Sequence, residues 1–201
     1  MLIELQFSMK KIFIFIFLLI FVSFLVAGNL NFLFSSNTVV HSDDDYKLLY
    51  GSMAYGWDTG FSYEPFWGAE FGIKYGQSYD SGFLSYTKEN LTLNKTLISG
   101  FMNIYPLTLF MKDFFFYIEP LLVFEMDFIS YKEESVLSEV SGSKAVFSFG
   151  GGISLNLNRK TKLLFSVRYR NLNPASTPIG KNINTEGIVL EAGLRVAFYN
   201  L

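Results

Sequence analysis

A strict alternation of apolar and polar positions runs through residues 188–198, near the end of the chain. Ile188, Leu190 and Leu194 fall on one face with other apolar residues, whereas Glu191 and Arg195 fall on the opposite face. A period of two predicts a β-strand. A soluble hydrophobic core does not accept an unpaired glutamate or arginine. The pattern is therefore typical of a strand that faces lipid on its apolar side.

The same alternation recurs along most of the chain. It predicts clear strands at residues 65–76, 113–130, 145–157 and 161–170. Less regular patterns predict further strands at residues 29–40, 46–57 and 91–105. Together with the last strand, these segments make eight.

The predicted connections alternate in length. Short ones are expected at residues 57–62, 106–112 and 158–161. Longer and more polar ones are expected at residues 77–90, 131–143 and 171–185. This arrangement is typical of outer-membrane barrels with brief periplasmic turns. The sequence therefore predicts an all-β fold, an eight-stranded antiparallel up-and-down transmembrane β-barrel.

The start of the chain is similar to an export signal. Lys10 and Lys11 precede an apolar run at residues 12–26, and the small residues Ala27 and Gly28 follow it. We expect residues 1–28 to be a cleaved signal peptide and residues 29–201 to form one barrel domain in the outer membrane of a diderm bacterium. Met9 is an alternative start. An uncleaved anchor is the alternative to cleavage, since the run approaches the length of a spanning helix.

Composition narrows the class of protein. Aromatic residues make up 18% of the 201 residues and charged residues only 17%, which is below the roughly 25% of soluble domains. The net charge of −2 gives no basic face for a nucleic acid partner. The absence of cysteine excludes disulfides and thiolate sites.

The polar faces of the predicted strands carry charges of both signs. The charged residues expected to point into the lumen are Glu70, Lys74, Glu119, Glu125, Asp127, Arg168, Arg170, Glu191 and Arg195. Buried charges persist when they are paired, and side chains can fill an eight-stranded lumen. We therefore expect a structural charge network, with an ion path or proton-coupled gate as the alternative.

Aromatic residues near the predicted strand ends are expected to form interfacial girdles. These are Trp57, Trp67, Tyr75, Tyr105, Tyr117, Tyr169 and Phe198.

Four segments resemble strands of the small outer-membrane β-barrels of the OmpA/OmpX-like superfamily. They are GAEFGIKYG (68–76), FSFGGGISLNLN (147–158), LLFSVRYRNLN (163–173) and GIVLEAGLRVAF (187–198). The resemblance implies outer-membrane lipid as surroundings and insertion by the barrel-assembly machinery, which reads a C-terminal strand ending in an aromatic residue. In this chain three residues follow Phe198.

Few residues of the sequence indicate a catalytic or metal-binding site. The single histidine, His41, is expected in a solvated loop, and the acidic residues 43–45 lack the further spaced ligands of a calcium loop. We expect no catalytic residue, cofactor or metal. The predicted function is a non-enzymatic role in envelope integrity, or in binding an extracellular ligand through the outer loops. The alternatives are a lipid-modifying barrel enzyme that uses His41 and a soluble lipocalin-like barrel whose apolar faces point inward.

Overall fold

The structure is a computed structural model that describes residues 28–42, 44–65, 68–84, 89–111, 115–134, 139–171, 175–176, 182–183 and 187–200. The strands are β1 (Gly28–His41), β2 (Met53–Pro65), β3 (Ala69–Leu84), β4 (Glu89–Ile104), β5 (Ile118–Glu134), β6 (Glu139–Asn156), β7 (Thr161–Asn171), β8 (Ala175–Ser176), β9 (Asn182–Ile183) and β10 (Gly187–Asn200). Two short helices, α1 (Asp44–Tyr50) and α2 (Pro106–Phe110), lie between strands.

Eight of the strands close into a barrel in the order β1-β10-β7-β6-β5-β4-β3-β2. Every neighbouring pair is antiparallel, and β1 closes the barrel by pairing with both β2 and β10. Closure gives every one of these eight strands two paired neighbours, so the closed part of the wall has no open edge. The eight-stranded antiparallel up-and-down barrel predicted from the sequence is confirmed, and β8 and β9 form a separate two-stranded sheet within the last connection.

The two ends of the barrel differ. At one end, here called the terminal end, lie Gly28, Asn200, the turn around Gly68, helix α2 and residues 157–160. At the other, the loop end, lie helix α1 and the connections that follow β3, β5 and β7. In the described part of the chain, no helix is long and apolar enough to cross a membrane.

The outer wall of the barrel carries a belt of exposed apolar side chains, here called the apolar band. Large exposed side chains project outward from every barrel strand, among them Phe34, Phe61, Ile73, Phe128, Phe149, Val167 and Leu190. The charged side chains that alternate with them are buried in the lumen, as Glu125, Arg168 and Arg195 show. The predicted phase of the strands is therefore correct. The lipocalin-like alternative requires the reverse, with the apolar faces inside.

This polarity inverts towards the loop end, where β3 to β6 continue beyond the apolar band. There Thr92 and Ser130 point outward into solvent. Leu91 and Leu93 point inward and pack with Tyr46 and Tyr50 of α1. A wall that is polar outside and apolar inside is the arrangement of a protein in water. The outer apolar surface thus ends before the loop-end tips of β4 and β5.

Several predicted boundaries are wrong, and the first of these errors follows from the polar outer face at the loop end. Residues 77–84 and 131–134 continue β3 and β5, although they were predicted as loop. Residues 57–62, predicted as a turn, lie inside β2, and the true turn contains Gly68 with a φ of +75°. Residues 46–50, predicted as strand, belong to α1. β5 begins at Ile118 rather than at residue 113, and Tyr117, predicted to belong to an aromatic girdle, lies just before the strand and is exposed.

Some predictions concern residues that the structure does not describe. Residues 1–27 of the predicted signal peptide, which include the alternative start at Met9, lie outside the described residues, as does Trp67. Gly28, assigned to the signal in the sequence, is the first residue of β1 and pairs with Pro65.

Candidate functional site in the barrel lumen

The middle of the lumen holds a buried group of five charges, here called the central cluster: Asp58, Lys74, Glu125, Arg168 and Glu191. The Lys74 ammonium lies 2.8 Å from a Glu125 carboxylate oxygen and 3.2 Å from one of Glu191. Arg168 uses its two terminal nitrogens to bridge the same two carboxylates. Four strands supply these four residues, so the cluster ties β3, β5, β7 and β10 together across the lumen.

Asp58 is the third acid of the central cluster and was not predicted. It accepts a hydrogen bond of 2.8 Å from the Asn37 side-chain amide and lies 4.0 Å from the Lys74 ammonium. Gly76 leaves room for the Asp58 carboxylate, because a Cβ at residue 76 would lie 1.9 Å from one of its oxygens. Because the central cluster has three acids and two bases, both cations are needed to offset the repulsion among its carboxylates.

A second group near the terminal end is here called the lower cluster: Glu64, Glu70, Lys162 and Arg195. Arg195 lies 2.6 Å from Glu64 and 2.8 Å from Glu70, and Lys162 lies 2.6 Å from Glu64. Glu70 also accepts a hydrogen bond of 3.0 Å from the Asn103 amide. Two acids and two bases balance, and each ion is almost fully buried. Buried pairs with satisfied hydrogen bonds are the form in which charge tolerates burial.

An apolar layer inside the lumen touches both clusters. It comprises Leu33, Phe101, Tyr105, Leu121, Val123 and Leu164. The Tyr105 hydroxyl donates to Glu70 at 2.6 Å and accepts from Arg195 at 3.0 Å. The Phe101 ring lies under the Lys74 ammonium, 5.4 Å from its centroid. Tyr105, predicted to belong to an outer aromatic girdle, is therefore an inward residue with no exposed surface.

A small cavity lies between the apolar layer and the central cluster. Its volume is about 20 Å³, with Leu33, Leu121, Lys74 and Glu191 among its walls. A space of roughly 10–15 Å³ is the minimum that holds one water molecule. This cavity therefore has room for about one water molecule, which is too little for an aqueous channel at this level of the lumen.

Helix α1 fills the mouth of the lumen at the loop end. Tyr46 donates a hydrogen bond to Asp80 and accepts one of 2.6 Å from Lys95, which also bridges Asp80. Tyr50, one turn later on the same helix face, donates to Glu133. Burial, and then the negative charge of Asp80, raises the pKa of Tyr46 well above its ordinary value. Both effects keep the phenol protonated as a donor.

His41 lies at the end of β1 beneath this helix. It is 3% exposed, and its ring packs against that of Tyr46 at a centroid distance of 4.0 Å. The solvated loop predicted for His41 is therefore wrong. The ring is part of the packing that holds α1 in the mouth. Among the described residues, no group of three or more His, Asp, Glu or Cys side chains is placed to hold a metal ion.

The structure places all nine predicted charges on the inward side. Eight of them belong to the central cluster, to the lower cluster or to the Arg170–Asp127 pair, whose side chains lie 2.9 Å apart. Glu119 lies apart, because its carboxylate accepts a hydrogen bond of 2.8 Å from the backbone N–H of Thr108 in the first turn of α2. The sequence analysis missed six further inward charges in the contacts described above: Asp58, Glu64, Asp80, Lys95, Glu133 and Lys162.

Comparison with known proteins finds this fold in solved structures. No protein-family model matches the sequence, and no curated protein is significantly similar to it in sequence. Among the solved structures that resemble the barrel are two outer-membrane proteins of similar length. OprG, an outer membrane protein from Pseudomonas aeruginosa, has a TM-score of 0.61 at 11% identity, over 86% of this chain and 97% of its own. Neisserial surface protein A (NspA) has a TM-score of 0.57 at 15% identity, over 84% and 97%.

The third structure is Ail, the attachment invasion locus protein of Yersinia pestis, in complex with the heparin analogue sucrose octasulfate. Its TM-score is 0.53 at 15% identity, over 85% of this chain and 99% of its own. At such low identity the likeness shows the fold alone. The chain thus has the fold of small outer-membrane β-barrels, over nearly the whole length of each of the three.

Proposed function

We propose that the chain is an integral outer-membrane barrel with a sealed lumen and a non-enzymatic role at the cell surface. The observation that carries this proposal is that the outer wall of the barrel is apolar while its lumen holds the charges. Large apolar side chains such as Ile73 and Phe128 are exposed outside, whereas Glu70, Asp127 and Arg168 are buried inside. In water such an outer surface would aggregate. In a bilayer it is the surface that lipid requires.

The role at the cell surface is supported by the loop end. Strands β3 to β6 extend past the apolar band, and α1 closes the mouth between them. The described ends of these strands thus lie beyond the apolar outer surface, and strand ends on such a scaffold commonly carry recognition loops. Contribution to envelope integrity is the simpler form of the same role. Export with removal of a signal peptide and placement by the barrel-assembly machinery belong to this proposal.

The last strand, β10, supports insertion by the barrel-assembly machinery. Phe198 lies on the outward face of β10 and is 59% exposed, so an aromatic ring is available near the end of the strand. It contacts Phe61 of β2 edge to face, with ring centroids 6.2 Å apart.

A sealed lumen predicts the absence of ion conduction. The apolar layer and the two charge clusters leave side chains, rather than water, across the barrel. We expect the protein reconstituted in planar lipid bilayers to give no unitary current steps, while a porin added to the same bilayers gives them. Discrete steps that recur with every preparation would contradict the sealed lumen and favour the ion path.

A further inference from the structure

Strands β3 to β6 project beyond the other four barrel strands at the loop end. β5 and β6 pair as far as Glu134 and Glu139, whereas the register of β6 with β7 ends at Phe147 and Asn171. Residues 139–146 of β6 therefore have β5 on one side. On the other side, no strand among the described residues pairs with them. That side of residues 139–146 is here called the open edge.

The backbone of the open edge presents hydrogen-bonding groups at alternate residues. The N–H of Asn156 donates to the Tyr117 carbonyl on the β5 side. The N–H of Leu157 donates to the Thr161 carbonyl on the β7 side. The register with β5 is unbroken, so the odd-numbered residues of β6 direct their N–H and C=O groups away from β5. At the open edge these residues are Glu139, Ser141, Ser143 and Ala145. Such a row is a template for the addition of a strand.

The opposite edge of the projecting sheet, on β3, is covered by a helix. The register of β3 with β2 ends at Tyr79, and helix α1 packs against the part of β3 beyond it. A Cβ at Gly82 would lie 2.0 Å from the Leu49 carbonyl oxygen of α1, so the helix backbone contacts the strand directly. Helices commonly protect strand edges in this way. Among the described residues, the open edge of β6 has no such cover.

The open edge lies past the apolar band and carries one unpaired cation. Its outward side chains Ser141, Ser143 and Ala145 are small and exposed. Lys144 lies on the inward face, and its ammonium nitrogen is buried without a hydrogen-bond partner among the described residues. Directly opposed residues of paired strands have Cβ atoms about 4.5–5.5 Å apart. An acidic residue opposite Lys144 on an added strand is therefore within reach of this ammonium group.

The tilt of the strands argues against a second copy of the chain at the open edge. Two barrels in one bilayer are related by an axis along the membrane normal. Strands of outer-membrane barrels tilt by about 35–45° from the barrel axis, so two β6 strands would cross at about 70–90°. Paired strands differ in direction by only about 20–25°. The open edge is thus better suited to a segment of a different molecule.

We propose that the open edge binds an extended peptide segment of another protein, which adds to β6 as a strand and places an acidic side chain opposite Lys144. This inference names the class of partner for the surface role proposed above and rests on that role. The backbone groups of four residues supply hydrogen bonds that any peptide can make, and Lys144 supplies the preference for an acid. Residues 139–146 span about 26 Å when extended, which matches a peptide of about eight residues.

Fluorescence anisotropy of a labelled peptide, with the barrel in lipid nanodiscs, tests the preference for an acid. The probe is a blocked nine-residue peptide of alternating threonine and valine with a central glutamate, and the comparison peptide has glutamine there. We expect the unmodified chain to bind the glutamate peptide about fivefold more tightly, the effect of a partly exposed ion pair. Lys144→Gln should remove this difference and leave the affinity for the glutamine peptide unchanged.

Ser143→Pro tests the strand pairing itself. Proline removes an N–H that points to the open edge and breaks no hydrogen bond to β5. It should lower the affinity for both peptides about tenfold. Ser143→Ala is the matched control, because it keeps the N–H and should bind both peptides like the unmodified chain. Every variant should keep the change in gel mobility on heating that a closed barrel gives. If Ser143→Pro loses it, the Lys144→Gln comparison decides.

Failure of the unmodified chain to bind either peptide would overturn the site, and so would binding that Ser143→Pro leaves unchanged in a folded barrel. A dimer in detergent that Ser143→Pro dissociates would assign the edge to a second copy instead. Each protein is first floated with lipid vesicles. A chain that floats but binds neither peptide contradicts this site alone, whereas a chain that does not float contradicts the proposed membrane location.

Discussion

Replacing Arg168 with leucine is expected to lower the free energy of unfolding of the barrel by about 3–5 kcal/mol, the usual effect of leaving a buried ion without its partner. Arg168 is 1% exposed and bridges Glu125 and Glu191. Without it, Lys74 alone would face the three carboxylates of the central cluster. Urea titration of the protein in lipid vesicles, followed by tryptophan fluorescence, measures the change.

Two comparisons make this result specific. Lys132→Leu breaks the exposed bridge from Lys132 to Glu134, 2.7 Å long, and should change stability by about 0–1 kcal/mol. Adding Glu125→Gln and Glu191→Gln to Arg168→Leu should recover much of the loss, since no uncompensated charge then stays buried. An Arg168 variant as stable as the Lys132 variant would show that the central cluster does not hold the barrel together.

Replacing Val167 with arginine is expected to destabilise the barrel in vesicles by about 2–4 kcal/mol, the cost of a cation at the midplane of a bilayer. Val167 lies midway along β7 on the outward face and is 53% exposed. At an exposed position of a soluble protein, the same substitution would change stability by no more than about 0.5 kcal/mol. Val167 therefore distinguishes lipid from water as the solvent of the outer wall. The same urea titration measures the change.

Ser130→Arg is the matched control. Ser130 is also outward and exposed, but it is the first polar position on β5 past Phe128, at the boundary of the apolar band. Arginine there should cost about 0–1 kcal/mol. If both variants unfold at the same urea concentration as the unmodified protein, the outer wall does not face hydrocarbon.

The strand phases were predictable because the bilayer fixes them. Within the apolar band every second residue must face lipid, so the alternation at residues 161–170 and 188–198 is nearly free of exceptions. The strand ends were not predictable on the same ground. Beyond the band the outward face carries polar residues such as Gln77, so this segment has the composition of a loop although β3 continues through it.

Helix α1 shows a second limit of predicting this fold from the sequence. Residues 46–50 continue the alternation of β2 by chance, and the strand pattern concealed the helix. The signal that could have revealed it is the pair Tyr46 and Tyr50, four residues apart and therefore on one face of a helix. Their partners, Asp80 and Glu133, are distant in sequence and could be assigned only from the structure.

The lumenal charges were found where the strand phase was known. Asp58 was missed because it lay in a predicted turn, and Asp80 because it lay in a predicted loop. Lys95 lies on β4, whose apolar residues occupy both faces and left the phase open. Lys162 could have been found, because it shares its parity with Arg168 and Arg170 on β7. The pairing itself depends on strand tilt and barrel closure, which alternation does not encode.

Flotation of the refolded protein with lipid vesicles in alkaline carbonate, followed by electrophoresis of the floated fraction with and without heating, tests the central claim most directly. The claim is that a closed barrel spans a bilayer with its apolar side outward and its charges inside. It predicts that the protein floats with the vesicles and that the unheated sample migrates differently from the heated one. Protein that stays in the carbonate-soluble fraction, with the same mobility before and after heating, would contradict it.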